Sequence, residues 1–130
     1  ILAAPYEFER YTELARRLNE DEQKDEARRV LTGMVEVLPG EASSHRALAQ
    51  AFQDESLGVE AIVQWKHVVR LKGEDPQGYL DLARAHLKEG QLLQAGRVTA
   101  KLLSTDWHPD FTYVVEEARQ FLEEIGRIEK

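Results

Sequence analysis

Apolar residues recur at intervals of three, four and seven along most of this chain, and short polar, Gly-bearing or Pro-bearing segments interrupt them. Those intervals gather side chains on one face of an α-helix, so the pattern predicts helices over about 6–20, 24–38, 43–54, 58–72, 77–89 and 92–104. The interruptions are of two kinds. Asn19 to Asp25, Asp54-Glu55-Ser56-Leu57-Gly58 and Glu89-Gly90-Gln91 separate helices one from two, three from four and five from six. Pro39-Gly40-Glu41, Gly73-Glu74-Asp75-Pro76 and Asp106-Trp107-His108-Pro109 separate the pairs, and all are poor in helix formers. A seventh stripe follows: Phe111, Val114, Val115, Ala118, Phe121, Leu122 and Ile125, backed by Glu116, Glu117, Arg119, Gln120, Glu123 and Glu124. It predicts an amphipathic helix over about 110–127.

The helix pairs are copies of one another. At a spacing of 34, Leu14, Leu48 and Leu82 fall in one column, Ala15, Ala49 and Ala83 in the next, and Ala27, Ala61 and Ala95 in a third. Leu and Ala are each roughly one residue in ten, so six such coincidences arise by chance on the order of once in a million trials. Softer columns agree: Tyr11, His45 and Tyr79; Leu18, Phe52 and His86; Leu31, Trp65 and Thr99; Met34, Val68 and Leu102. A small residue on each helix of a pair lets the two backbones cross closely, which is the expected task of the Ala columns.

Tyr11-x2-Leu14-Ala15-x2-Leu18 with Ala27-x3-Leu31 and Pro39 resembles the tetratricopeptide repeat (TPR) family. His45-x2-Leu48-Ala49-x2-Phe52 with Ala61-x3-Trp65, and Tyr79-x2-Leu82-Ala83-x2-His86 with Ala95-x3-Thr99, carry the resemblance on, over about 11–110. The closing Pro is in register only at Pro39, and His86 and Thr99 are polar where the family is usually aromatic. The resemblance implies an all-α, right-handed α-solenoid of three TPR hairpins, as one domain over 1–130 with repeats at about 8–41, 42–75 and 76–109. The helix at about 110–127 then caps the last hairpin's apolar face. The sole methionine is Met34, so the sequence reads as a segment of a longer protein.

The resemblance also implies a role. In TPR arrays the first helices of successive hairpins line a concave groove that receives a peptide or helical segment of another protein. The matching positions are Thr12, Arg46 and Leu80; Arg16, Gln50 and Arg84; Asn19, Gln53 and Leu87; and Glu20, Asp54 and Lys88. The binding candidates are therefore Arg16, Asn19, Arg46, Gln50, Gln53, Arg84, Leu87 and Lys88. Their arginines suit an acidic segment or a free C-terminus; the same side chains also serve as an ordinary solvated face. The Lys/Asn/Lys/Arg set with which one TPR subclass grips chaperone tails is absent, its places holding Thr12, Arg16, Ala47, Gln77 and Asp81. The alternative role is self-assembly, the exposed helix faces making a homo-oligomer of a larger protein.

Composition narrows the alternatives. Acidic residues number 24 against 17 basic, a net charge of −7, which disfavours nucleic acid as a partner. No apolar run is long enough to span a membrane. There is no Cys, hence no disulfide, thiolate ligand or cysteine nucleophile, and the compartment stays open. No nucleophile elbow, phosphate loop or zinc-helix motif occurs, so no enzyme, cofactor or metal is expected. The four histidines lack ligand-like spacing, and His45 and His86 sit in packing columns. Asn19 to Glu26 is acidic but lacks the Gly and closing Glu of a calcium loop. His108-Pro109-Asp110 matches the tripeptide of J-domain co-chaperones; with Pro and an acid in a first turn, it reads instead as the start of the last helix. Trp65 falls in a core column, whereas Trp107 lies in a linker.

Overall fold

The computed structural model describes residues 5–129, with side chains over 7–128. Seven α-helices follow one another among them: α1 (Pro5–Glu20), α2 (Lys24–Val37), α3 (Ala42–Asp54), α4 (Gly58–Leu71), α5 (Gln77–Lys88), α6 (Leu92–Ser104) and α7 (Thr112–Glu129). A single 3-10 turn, Pro109–Phe111, precedes α7, and there is no strand among the described residues. The periodicity-based boundaries agree with these to within two residues, because the helices end where polar and turn-forming residues interrupt the apolar stripe.

Every hairpin turn uses the same bonds at the 34-residue interval. The Leu18, Phe52 and His86 carbonyls accept from the backbone N–H of Gln23, Leu57 and Gln91 at 2.7, 2.7 and 2.9 Å. Such a reversal after a helix needs one left-handed residue. That residue is Glu22 (φ 61°), Ser56 (φ 61°) or Gly90 (φ 74°). Only Gly adopts this region without a Cβ penalty, which is on the order of 1–2 kcal/mol per residue. Gly90→Ala will therefore destabilise the protein by about 1 kcal/mol while Ser56→Gly stabilises it by a smaller amount, as read from urea midpoints. Opposite signs at two equivalent turns separate backbone strain from any side-chain effect.

The chain forms two compact units, Ile1–His67 and Val68–Lys130, with the boundary inside α4. In the first unit α1 packs on α2 and α2 on α3. Ala15, Ala27, Leu31, Met34, Leu38 and Leu48 form its core, with Phe8, Tyr11 and Phe52 against them. Ala49, Ala61 and Trp65 are also buried, so Trp65 is a core residue as its column predicts. In the second unit α5 packs on α6 and α6 on α7. Its core joins Leu80, Ala83, Ala95 and Leu102 to Val114, Ala118, Phe121 and Ile125. The α7 stripe thus covers the last hairpin, while Leu122 at its margin stays 38% exposed. Gly78 is a close-approach site that column reading missed: a Cβ there would lie 3.2 Å from Val68 Cγ1.

Leu14 departs from its column. Leu48 is 2% exposed in the core it shares with Leu31 and Met34, whereas Leu14 is 48% exposed. This column packs on the preceding hairpin, and among the described residues no hairpin precedes α1.

Candidate functional site

The candidate residues lie on the first helix of each hairpin. In the first unit Arg16 and Asn19 are on α1, and Arg46, Gln50 and Gln53 on α3; in the second, Arg84, Leu87 and Lys88 are on α5. Arg16, Asn19, Gln50, Arg84 and Lys88 are exposed, while Arg46, Gln53 and Leu87 are half-buried. One expected member of the face is not on it. Leu80 is fully buried, because α7 places Val114 and Phe121 in the same core.

Arg16 and Arg84 are engaged by carboxylates of their own unit. Arg16 donates from Nε to Glu13 Oε2 at 3.0 Å and from Nη2 to Glu13 Oε1 at 2.5 Å. It also donates to Glu20, so acids one turn away on either side hold its guanidinium. The hydrogen bond from Arg16 holds the Glu13 carboxyl below its ordinary range, and the same bond raises Arg16 further above neutrality. Arg84 donates from Nη2 to Glu117 Oε2 at 3.2 Å, tying α5 to α7. Both members of that pair are well exposed, so it contributes little to stability.

Arg46 sits against an aromatic ring. Its guanidinium carbon lies 5.4 Å from the centroid of Trp65, within cation–π range. Trp65 is buried, so α4 supplies a rigid aromatic floor under a cation that α3 carries. A stacked guanidinium loses less rotamer freedom when it pairs with a carboxylate. Around it, Gln50 Nε2 donates to Asp54 Oδ1 at 3.4 Å. Amide and guanidinium donors thus stand together on α3.

The remaining polar groups hold the fold together. His45 is buried, its Nδ1 lying 2.7 Å from Gln64 Oε1 and its Nε2 donating to the Pro39 carbonyl at 2.9 Å, with its ring stacked on His67. His86 Nδ1 lies 2.7 Å from Gln91 Oε1 at the α5–α6 turn. His108 caps the 3-10 turn, its Nδ1 accepting from the Asp110 N–H at 3.1 Å, with Pro109 in the first turn. Trp107 Nε1 donates to the Leu102 carbonyl at 2.7 Å, and the ring packs against Tyr79. Among the described residues, no three His, Asp or Glu side chains converge as a metal site would require, and no helix is long and apolar enough to cross a membrane.

No family model matches the sequence, and no curated protein matches it either. Solved structures match its fold over nearly the whole chain. The Yersinia enterocolitica type III secretion chaperone SycD, in complex with a peptide of the translocator YopD, matches with a TM-score of 0.75 at 16% identity over 98% of both chains. PcrH, a protein of Pseudomonas aeruginosa, in complex with the chaperone-binding region of PopD, matches with a TM-score of 0.78 at 16% identity, covering 98% of this chain and 97% of that one. A T3SS complex from Aeromonas hydrophila matches with a TM-score of 0.77 at 17% identity, over 97% of this chain and 85% of that one. The fold is a TPR-type α-solenoid. Its TPR turns and Ala columns are those read from the 34-residue period, and α7 is the capping helix.

The sequence could not reveal Glu117 as a partner of Arg84, since only the packing of α7 on the last hairpin brings them together. The cap from His108 was legible in principle: a polar side chain directly before Pro at a helix start is the signal.

Proposed function

We propose that this chain is a non-catalytic protein-binding module, a single array of three TPR hairpins with its cap, which holds a peptide or helical segment of a partner on its first-helix faces. One observation carries the reading. Two proteins that share its fold over almost its full length are seen with segments of other proteins, SycD with a peptide of the translocator YopD and PcrH with the chaperone-binding region of PopD. Nothing in the side-chain chemistry favours a reaction over recognition.

The surroundings of the arginines refine the ligand. Arg46 is pre-positioned by the rigid Trp65 ring, and an ordered guanidinium loses little freedom when a carboxylate arrives. An acidic residue of the partner therefore gains a charge-assisted hydrogen bond at Arg46. At Arg16 and Arg84 an incoming acid competes with Glu13, Glu20 and Glu117. The test is a peptide-array screen followed by titration of the best acidic peptide. Arg46→Ala, with its helical circular dichroism intact, will weaken binding by about tenfold or more, the loss of one charge-assisted hydrogen bond. Arg16→Ala and Arg84→Ala will each weaken it as well. Affinity will fall as salt rises, because charge pairs at this exposure are screened beyond about 8 Å near physiological ionic strength. Equal affinities for wild type and Arg46→Ala would remove this face from the binding site.

A further inference from the structure

The outer face of α6 carries basic and apolar side chains that the rest of the chain leaves unanswered. Leu93 is 61% exposed, and Arg97, Ala100 and Lys101 are exposed with it. Separations of three, four and seven residues set these four on one side of the helix, while Ala95, Thr99 and Leu102 face the core. Among the described residues α6 is the one helix without an acidic residue. The acids nearest in sequence, Glu89 and Asp106, lie beyond its two ends, and neither forms an ion pair with Arg97 or Lys101.

Exposed arginines on other helices are met by acids of this chain. Arg16 pairs with Glu13 and Glu20, Arg29 with Glu26, Arg84 with Glu117 and Arg119 with Glu116. Arg97 has no such carboxylate among the described residues, and its neighbour four residues on is Lys101, a like charge that disfavours the helix. Lys101 is itself positioned, its ammonium 5.9 Å from the centroid of Tyr79, whose ring packs against Trp107. Two carboxylates one turn apart would offset the repulsion and gain charge-assisted hydrogen bonds from both cations.

We propose that the outer face of α6 is a second docking surface, separate from the first-helix faces, for an acidic amphipathic helix of a partner protein. The spacing specifies the ligand. Arg97 and Lys101 are four residues apart, about 6 Å along the axis, and a helix lying alongside presents carboxylates at the same interval when they too stand four residues apart. Its apolar stripe then meets Leu93, and Ala100 is small enough for the two backbones to approach. A helix offers no strand edge, so an extended segment finds no main-chain hydrogen bonds here. An anionic lipid surface fits less well, since such recognition takes about four to eight clustered basic residues and this chain carries a net charge of −7. The surface stands whether or not Arg46 binds an acidic partner.

The probe is a display library of helical peptides of about 15 residues, selected on the Arg46→Ala variant so that binding at Arg46 takes no part. The winners will carry two acids four residues apart beside an apolar residue. They will bind a variant with Arg97→Glu and Lys101→Glu at least about tenfold more weakly, its circular dichroism unchanged because both positions are exposed. Arg97→Gln with Lys101→Gln, which removes the charges without reversing them, will lose the acidic winners as well. Used as bait, the reversed variant will select Lys or Arg at the same interval. No enrichment on either bait, winners without the paired acids, or winners that bind both charge states equally would overturn the proposal. So would phosphatidylserine vesicles that bind wild type and not the reversed variant while the library yields nothing, the result expected of a membrane-facing surface.

Discussion

Removing residues 106–130 will convert the protein into a fragment that aggregates or loses its cooperative unfolding transition. The deletion takes away the 3-10 turn and α7, and with them Val114, Phe121 and Ile125, all buried in the core of the second unit. Each such side chain contributes about 1.5–3 kcal/mol when fully buried, so the three together amount to roughly 5–9 kcal/mol. A domain of this size is stable by only about 5–15 kcal/mol, so the loss is comparable with the whole. The deletion also exposes Leu80 and Leu102, which are fully buried in the intact protein, and a contiguous apolar patch of this kind promotes association. Dye binding, light scattering and a thermal melt of residues 1–105 measure the effect. A soluble, monomeric fragment with a sharp transition would show that α7 is not the cap.

Ala61→Leu and Ala49→Leu will each destabilise the first unit by roughly 1–3 kcal/mol, the usual effect of adding methylenes to a filled core. Both alanines have no exposed surface, and both stand in columns occupied by Ala in all three hairpins. A larger side chain there must push apart helices whose crossing depends on a small residue. The matched control is Ala100→Leu, since Ala100 is exposed on α6 and the change should leave stability within about 0.5 kcal/mol. Chemical denaturation of the three variants separates the cases. Unchanged midpoints for the two buried positions would mean that the Ala columns mark something other than helix crossings.

The repeat was legible because its signals are local or periodic. Helix boundaries follow from where Pro, Gly and acidic runs interrupt a 3.6-residue stripe, a contest decided within a few residues of backbone. The three Ala columns and the burial of Trp65 follow from register alone, since equivalent positions in stacked hairpins meet equivalent neighbours. That logic does not need the family's usual residues, which explains how the pattern stands out in a chain that no family model matches. It fails at the margins of the array. Leu14 and Leu80 belong to columns that predict burial and a groove position, and the structure reverses both. Their neighbours are set by what lies before the first hairpin and after the last, which periodicity does not contain.

The candidate site divides along the same line. Which residues stand on the first helices was determined by the sequence itself, because Arg16, Arg46 and Arg84 occupy readable positions in their hairpins. The electrostatic state of Arg16 is set at i−3 and i+4 within its own helix, whereas that of Arg84 and Arg46 was decided only by the tertiary structure. Glu13 and Glu20 take up Arg16 from within one helix, Glu117 reaches Arg84 from α7, and Trp65 lies beneath Arg46 from α4. Helical period specifies the direction in which a side chain leaves its helix. The charge that Arg84 meets depends on how α7 packs on the last hairpin, and that packing follows from the burial of Val114, Phe121 and Ile125 in a shared core rather than from any local signal.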